Sequence, residues 1–339
     1  MQKVKVEDAV GMVLAYDLTK VVPGIYKGPA FKKGYIIKAE DIEELKNIGK
    51  NHIYVVSLTE AEIHENEAAQ RIAKVISSNS LTVSNPAEGK SNILSKVNGL
   101  LKVNQKVLLD LNHIPNIAIV TLHNNTTVKE GQPVATAKVI PLTMEKTNVE
   151  AAEQICRQTG PIVDVLPFHP LKTGIIVTGT EVYEGRIQDR FGALLKEKIS
   201  AYGAELLELY YAPDDTDFIY QKMIELLKNG AEIILVSGGM AVDADDVTPQ
   251  AIQKMAWDVV TYGVPVLPGA MCMVAYNRQV PIIGIPACAM FSKTTVLDLI
   301  LPKILAKEHI QKDDLISLAH GGMCLKCDQC HYPICPFGK

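Results

Sequence analysis

The sequence predicts an α/β protein: a three-layer sandwich with a mostly parallel sheet in its second half, preceded by a β-rich α+β accessory region. From Leu171 onward, short apolar runs alternate with helical patterns, as expected for a parallel sheet that helices cover on both faces. Up to Leu142, short strand patterns and turns dominate instead. The proline-rich segment Pro161–Pro170 lies between the two patterns and predicts a linker.

The composition limits the function classes. The chain has 339 residues, enough for two or three domains, and a net charge of −4 with no long basic run. Nucleic acid is therefore not expected as a main partner. Apolar stretches are interrupted well short of a membrane span, and the N-terminus lacks the apolar core of a signal peptide. These features predict a soluble cytoplasmic protein that has no membrane partner.

Changes in pattern divide the chain into four predicted regions. They are an N-terminal α+β region (1–57), a helix with a β-rich domain (58–165), an α/β domain (171–307) and a cysteine-rich tail (308–339). In the first two regions we predict helices at 38–48, 59–77 and 144–160, and strands at 52–56, 107–111, 117–122 and 134–139. In the α/β domain we predict strands at 173–178, 204–211, 232–236, 259–260, 271–275 and 281–285, and helices at 191–201, 216–229, 247–255 and 289–305.

The stretch from Ile233 to Gln250 organises the second half. An apolar run ends at Ser237-Gly238-Gly239, an acidic loop follows, and Thr248-Pro249 begins a helix, with Thr248 suited to the N-cap. Glycines let backbone N–H groups approach a ligand closely, and a helix N-terminus attracts an anion. Acidic side chains at the same place favour a phosphorylated ligand bound with a divalent cation. The alternative is an ordinary strand–loop–helix turn whose acids are solvated.

The loops that follow the predicted strands carry similar chemistry. Each contains glycine, proline or a small acid, and the loops are Thr178–Glu181, Ala212–Asp215, Ser237–Gly239, Leu267–Gly269 and Ile285–Ala287. In a parallel sheet these loops lie at the carboxyl edge, where ligands bind. The sequence therefore predicts one long polar cleft for an anionic heterocycle.

These motifs resemble a known family. Thr178-Gly-Thr-Glu181, Gly185–Asp189, Pro213-Asp214, Ser237-Gly-Gly239 with Asp246–Pro249, and Pro268-Gly269 recur in the order found in the molybdopterin-binding domain of molybdenum insertases and molybdopterin adenylyltransferases. The resemblance covers about 171–306, and segments 4–56 and 88–142 are more loosely similar to the accessory regions of the insertases. It implies molybdopterin and molybdate as ligands, Mg²⁺ as cofactor, and a homodimer.

The resemblance also implies roles for individual residues. Asp246 and Asp214 would handle Mg²⁺ and the phosphate or adenylate chemistry. The simpler role for Asp214 is to cap the following helix, and the two roles can hold together. The remaining residues would bind molybdopterin: Thr178, Gly179, Glu181, Asp189, Ser237, Gly238, Gly239, Thr248, Pro268, Gly269 and Pro286.

The chain departs from the family pattern at three places. Met240-Ala241 follows the glycine pair where the family has Thr or Ser and Gly. Arg190-Phe191 follows Asp189 where the family has a small polar residue and then Asn. The last loop is Pro286-Ala-Cys-Ala289 rather than Pro-Gly-Asn-Pro. Binding tolerates such changes better than catalysis. Two functions therefore stay open: Mg²⁺-dependent insertion of molybdate into adenylylated molybdopterin, and a non-catalytic carrier or sensor that delivers the cofactor to an apo-molybdoenzyme.

The tail carries a second motif. Cys324, Cys327, Cys330 and Cys335 follow one another closely, and Pro336 comes directly after the last. The spacing is close to that of bacterial ferredoxins, with one residue more in the final gap, and it favours an iron–sulfur cluster. Four thiolates are equally a ligand set for structural Zn²⁺, and a redox-active thiol group is the third alternative.

Overall fold

A computed structural model describes residues 2–22, 25–241, 243 and 245–339, and divides the chain into two compact units, Met1–Leu166 and Pro167–Lys339. Among these residues, none of the helices combines the length and the apolar character that crossing a bilayer requires. The four predicted regions remain a prediction.

The first part of the N-terminal unit has its own small core. Its elements are β1 (Gln2–Lys5), β2 (Val13–Leu14), β3 (Leu18–Val22), β4 (Tyr26–Phe31), α1 (Asp41–Asn47) and β5 (His52–Val56). Strands β1, β5 and β2 form one sheet, and β3 pairs with β4. Leu14, Leu45 and Val55 are fully buried in this core. The predicted helix and the predicted strand at His52–Val56 are confirmed here.

The rest of this unit packs around a larger core. Its strands are β6 (Glu62–His64), β7 (Leu81–Val83), β8 (Lys90–Ser95), β9 (Gly99–Val103), β10 (Ile117–Thr121), β11 (Thr127–Val128), β12 (Pro133–Val139), β13 (Thr143–Glu145) and β14 (Val163–Pro167). Its helices are α2 (Glu65–Ile76), α3 (Gln105–Asn112) and α4 (Lys146–Thr159). The sheets have the strand orders β10-β12-β8-β7, β11-β9-β14 and β13-β6.

Three predictions for this region were wrong. The expected strand at 107–111 is helix α3, because Asn104 caps it by accepting the Val107 N–H at 3.2 Å, and Val107 and Leu111 then bury one helical face. The helix expected from Thr59 begins only at Glu65, because Glu62–His64 pairs with β13 and His64 caps α2. Part of the expected linker is strand β14, which lies beside β9, although the boundary between the two units does fall within the expected segment, after Leu166.

The C-terminal unit contains the predicted α/β sandwich. Its elements are β15 (Lys172–Thr178), α5 (Thr180–Tyr183), α6 (Phe191–Ser200), β16 (Glu205–Ala212), α7 (Thr216–Lys228), β17 (Ile233–Ser237), α8 (Thr248–Met255), β18 (Asp258–Tyr262), β19 (Met273–Asn277), β20 (Val280–Ile285), α9 (Val296–Leu305) and α10 (Lys312–Ile316). The strand order is β16-β15-β17-β20-β19-β18. Pairing is parallel between β16, β15, β17 and β20, whereas β19 runs antiparallel to both of its neighbours.

The period of two in the strands produces the three layers. In β17, Ile233 and Leu235 belong to one core and Ile234 and Val236 to the other, and all four are fully buried. Helices α6 and α9 contribute to the first core, and α7 and α8 to the second. This is why the strand is a continuous apolar run rather than an alternating one.

The last helix begins later than predicted. Residues 287–290 form a 3₁₀ turn, and α9 starts at Val296 because Thr295 and Asp298 cap each other's backbone N–H groups. After α10 the tail is held to this unit by its aromatic residues. Phe337 is 2% exposed, and the Tyr332 hydroxyl donates to the Asp298 carbonyl at 2.9 Å.

Candidate functional site

The loops at the carboxyl edge of the sheet contact one another. The Thr178 hydroxyl donates to the Ser237 carbonyl at 3.1 Å and lies 3.2 Å from the Thr248 hydroxyl. All three residues are buried. The end of β15 is thereby joined to the end of β17 and to the start of α8. Thr248 is the first residue of that helix rather than its N-cap, which is Val247 and makes no side-chain cap.

The glycine pair after β17 is required by this packing. Gly238 has φ +96°, and a Cβ there would overlap the Thr178 carbonyl oxygen. Gly239 has φ +55°, and a Cβ there would lie 3.0 Å from the Thr248 hydroxyl oxygen. Both conformations are costly for residues with side chains. The Ser237 hydroxyl beside them is buried and has no hydrogen-bond partner among the described residues.

The loop after β15 also contacts the loop after β16. The Gly179 N–H donates to the Ala212 carbonyl at 3.0 Å, and Asp214 accepts the Thr180 N–H at 2.9 Å and its hydroxyl at 3.1 Å. The helix cap proposed as an alternative role for Asp214 belongs instead to Asp215, whose carboxylate accepts the Phe218 N–H at 2.7 Å. Asp214 therefore holds the first loop in place.

Glu181 and Asp189 also lie on the segment after β15. The Glu181 carbonyl accepts the N–H groups of Arg186 and Ile187, and its side chain is exposed. The Asp189 carboxylate accepts the N–H of Phe191 at 2.8 Å and the Tyr211 hydroxyl at 3.1 Å. Burial and this carboxylate raise the pKa of Tyr211. Asp189 therefore orders the start of α6.

A cleft of about 710 Å³ opens among the remaining loops of this edge. Five of the predicted catalytic and molybdopterin-binding residues line it, namely Gly239, Asp246, Pro268, Gly269 and Pro286. The other predicted residues of the sheet edge are not among those that line it: Thr178, Gly179, Glu181, Asp189, Asp214, Ser237, Gly238 and Thr248. Of these, Thr178, Ser237, Gly238 and Thr248 pack directly behind Gly239.

Gly269 fixes the loop between β18 and β19. It has φ +124°, and a Cβ there would lie 2.5 Å from Cγ1 of Val296. The Val296 N–H donates to the Pro268 carbonyl at 3.1 Å. The loop is thereby held against the first residue of α9, and Pro268 and Gly269 face the cleft.

The acidic groups of the cleft are Asp243 and Asp246. The Asp246 carboxylate accepts the Asp243 N–H at 2.8 Å, and both residues line the cleft. The Tyr262 hydroxyl donates to the Met240 carbonyl at 2.9 Å, and burial together with Asp246 raises the Tyr262 pKa. Neither Asp243 nor Tyr262 was predicted as a site residue, although Asp243 lies within the predicted acidic loop.

Met240, one of the departures from the family pattern, is a core residue. It is 3% exposed, and a Cβ at Gly284 would lie 2.5 Å from its Cε atom. Its side chain therefore fills the core beside β20, and the residue also lines the cleft. Cys288, from the third departure, lines the cleft and has a pKa raised by burial.

The four cysteines of the tail line a second cavity of about 380 Å³. The Thr294 hydroxyl lies 3.2 Å from the Cys330 sulfur, and this contact, with a hydrogen bond from the Tyr332 backbone, lowers the pKa of Cys330. Within the described part of the chain, no three His, Cys, Asp or Glu side chains are already arranged to hold a metal ion. The four thiols nevertheless border one cavity, which supplies the donor set that zinc and iron–sulfur centres use.

The tail reaches the cleft, a contact that the sequence patterns do not indicate. The Leu267 N–H donates to the Gly322 carbonyl at 2.8 Å, and the Cys324 N–H donates to the Leu267 carbonyl at 2.8 Å. Met323, Cys324 and Lys326 consequently line the cleft beside Pro268. No local signal in the tail encodes this backbone pairing.

Comparison with curated proteins gives partial matches. CinA-like proteins from Mycobacterium tuberculosis (strain ATCC 25618 / H37Rv) and Mycobacterium sp. (strain JLS) are 32% and 36% identical over 83 residues, which is 24% of this chain. The aligned segment covers 19% and 20% of those proteins, so the chain spans about a fifth of the length of the curated relatives it matches.

Solved structures match at low identity. The molybdopterin biosynthesis enzyme MoaB from Thermus thermophilus is 17% identical, with a TM-score of 0.36, over 41% of this chain and 98% of that chain. The tungsten cofactor synthesizing protein MoaB from Pyrococcus furiosus is 19% identical, with a TM-score of 0.34, over 40% of this chain and 92% of that chain. CinA from Thermoplasma acidophilum is 15% identical, with a TM-score of 0.35, over 39% of this chain and 97% of that chain.

Two family descriptions match parts of the chain. Residues 3–57 match a domain of unknown function. The second match begins within β15 and ends just after α9, so it contains the loops that border the cleft but not the cysteine-rich tail. Over residues 174–306, the C-terminal unit matches the family described as "probable molybdopterin binding domain".

Proposed function

We propose that the C-terminal unit binds a phosphate-bearing molybdopterin in the cleft at the carboxyl edge of its sheet and acts in molybdenum cofactor biosynthesis. The observation that carries the proposal is the position of the cleft: it lies within the matched domain and is bordered by Gly239, Asp246 and Gly269. Its volume of about 710 Å³ falls within the range of small-molecule sites.

The residues around Gly239 suit the phosphate end of such a ligand. Gly239 lines the cleft without a side chain, so that its backbone can approach a ligand closely, and it lies against Thr248 at the N-terminus of α8, which carries a partial positive charge. The buried Thr178–Thr248 contact holds this arrangement fixed. Gly179, Glu181 and Asp189 do not line the cleft, and they act by holding the loop after β15 in position.

The acids of the cleft fit a divalent cation. Mg²⁺ in phosphate-binding sites takes one or two carboxylates together with ligand phosphates, and Asp246 and Asp243 offer two carboxylates at the cleft wall. When bound, Mg²⁺ would neutralise phosphate charge and polarise the phosphoryl centre. We assign Asp246 to hold it, and Asp214 to position the loop of Thr180, with which it makes two hydrogen bonds.

Within cofactor biosynthesis, we propose the insertase reaction. Molybdate binds the pterin and its displaced oxygens leave as water, and water cleaves the phosphoanhydride so that AMP is released and the phosphate stays on molybdopterin. Asp246 contributes by fixing the phosphate groups and the metal, and the Tyr262 hydroxyl holds the Met240 end of the acidic loop. From the resemblance to the insertases we also propose a homodimer. Delivery of the cofactor to an apo-molybdoenzyme belongs to the alternative function, a non-catalytic carrier or sensor.

Retention of molybdopterin tests the binding proposal. The full chain, purified without oxygen from a cell that makes molybdopterin, should carry a pterin that is released on denaturation. Asp246→Asn should lower the amount severalfold, because a carboxylate that fixes the metal and phosphate is lost. Asp217→Asn is the matched control, since Asp217 lies on α7 and pairs with Lys254 at the surface. Wild-type protein free of pterin would overturn the proposal.

Release of AMP distinguishes the insertase reaction from the alternative function, a non-catalytic carrier. Wild-type protein should release AMP from adenylylated molybdopterin only when molybdate and Mg²⁺ are both present, and Asp246→Asn should abolish that release. Pterin binding without AMP release in the wild type would favour the carrier and reject the insertase reaction.

We further propose that Cys324, Cys327, Cys330 and Cys335 hold a metal centre, either an iron–sulfur cluster or Zn²⁺. All four border one cavity. Metal analysis and visible absorption of protein purified without oxygen identify it: a broad absorption band with iron and sulfide indicates a cluster, and one colourless Zn²⁺ per chain indicates zinc. Replacing Cys327 and Cys330 with Ser should remove the metal, whereas Cys156→Ser, a change at a buried position in α4, should not.

A further inference from the structure

The cysteine cavity and the cleft share one wall. Pro268, Met323, Cys324 and Lys326 line both cavities. A single short segment of the tail therefore faces the four thiols on one side and the cleft on the other. Because residues after 306 lie outside the family match, this wall is a feature of this chain rather than of the matched domain.

The backbone fixes the shared segment in place. Two hydrogen bonds of 2.8 Å join Leu267 to Gly322 and Cys324. Gly322 is buried, and a Cβ there would overlap the Leu318 and Pro265 carbonyl oxygens. The segment thus reaches the cleft by close backbone packing that a larger residue at 322 would prevent.

The tail supplies the positive charge of the cleft. Among the described residues that line it, the acids are Asp243 and Asp246, and the cation is Lys326. An ammonium group stabilises phosphate oxygens through charge-assisted hydrogen bonds. Among the described lining residues, Lys326 is the one whose side chain can supply such bonds beside a metal held by the acids.

Lys326 lies within the cysteine loop. It lies between Cys324 and Cys327, and its φ of +52° is in the left-handed region that residues with side chains rarely adopt. A metal bound by both thiolates would hold this turn closed and keep the Lys326 backbone in that conformation. Without the metal, the turn loses this constraint.

We propose that Lys326 binds the phosphate of the cofactor in the cleft, and that metal bound by the tail cysteines positions it, so that the affinity for the phosphorylated ligand depends on that metal. This inference rests on the proposed function, since it takes the ligand to be a phosphorylated pterin. Lys326 would then be a ligand-binding residue from outside the matched domain, and metal bound in the cysteine cavity would affect ligand affinity in the cleft.

The test compares two ligands that differ only in phosphate. They are a pterin that carries a methyl phosphate group and the corresponding pterin alcohol, each titrated into metal-loaded full-length protein with Mg²⁺ held constant. Lys326→Gln should weaken binding of the phosphorylated pterin about tenfold or more and leave the alcohol unchanged, because only the phosphate meets the ammonium group. Lys326→Arg should retain most of the affinity. Lys293→Gln is the control, because Lys293 lines the cysteine cavity but not the cleft.

The metal link is tested with a chelator that removes zinc and iron but leaves Mg²⁺ in excess. Removal should weaken wild-type binding of the phosphorylated pterin towards the Lys326→Gln value and change that variant little further. Unchanged affinity after removal rejects the positioning by metal, and a Lys326→Gln variant that binds like the wild type rejects the lysine itself. Equal losses for both pterins also reject the lysine. If the wild type binds neither pterin, the inference falls together with the proposed function.

Discussion

The hydroxyls of Thr178 and Thr248 lie 3.2 Å apart in the interior, and together they join the first strand of the sheet to the helix that follows the central strand. Thr178 also donates to the Ser237 carbonyl, so the contact lies directly behind the glycine pair of the cleft. The geometry of the cleft therefore depends on two side chains that are not among those lining it.

Removing one hydroxyl of this pair should destabilise the C-terminal unit. Thr178→Val and Thr248→Val each leave a buried polar partner unsatisfied, and each should cost about 1–3 kcal/mol in the free energy of unfolding. The double variant should cost less than the sum, because both members of the Thr178–Thr248 contact are then gone. Urea denaturation followed by circular dichroism measures these values, and strict additivity would contradict the coupling.

Gly238 should tolerate no side chain. Gly238→Ala places a methyl group against the Thr178 carbonyl oxygen at φ +96°, so the cost combines a clash with backbone strain. Gly131→Ala is the matched control, because Gly131 has φ +77° with open space around it. The control should lose about 1–2 kcal/mol from strain alone, and Gly238→Ala should lose clearly more. Equal losses in thermal denaturation would show that the clash is relieved.

The sheet and part of its edge were predictable from the sequence because they follow local patterns. The run Ile233–Val236 is apolar throughout since neighbouring residues enter opposite cores, and Gly238 and Gly269 mark turns that only glycine fits. The return of the tail to Leu267 was not predictable, because it depends on backbone hydrogen bonds between distant segments. The error at Val107–Leu111 has a local cause: Asn104 caps a helix there, and a short apolar run does not by itself separate strand from helix.

Substitutions of the neighbouring residues Asp214 and Asp215, which follow β16, should have different effects on stability and on pterin binding. Asp215→Ala removes the N-cap of α7 and should cost about 0.5–2 kcal/mol in the free energy of unfolding with little change in pterin affinity. Asp214→Ala frees the Thr180 N–H and hydroxyl, so it should loosen the first loop and weaken pterin binding. Denaturation and pterin titration measured on both variants test this division. Loss of binding in Asp215→Ala alone would reverse the two roles.

Glu65 in the N-terminal unit should make stability fall as the pH rises. It is 3% exposed at the start of α2, and a Cβ at either Gly34 or Gly89 would meet its carboxylate. Burial raises its pKa above the ordinary 4.5, against the opposing charges of Lys138 and His64. The folded state therefore holds this proton more tightly than the unfolded state. Stability is lost as the pH rises from about 4.5 through the folded pKa, and the loss is complete above it.

Glu65→Gln removes this titration and should therefore be more stable than the wild type at pH 7, with a difference that shrinks towards pH 4. Urea denaturation at several pH values gives the free energy of unfolding of both proteins. Glu67→Gln provides the control on the same helix, because Glu67 is exposed and should show no comparable gain. A difference between Glu65→Gln and the wild type that does not vary with pH would mean that the Glu65 carboxyl titrates alike in the folded and unfolded states.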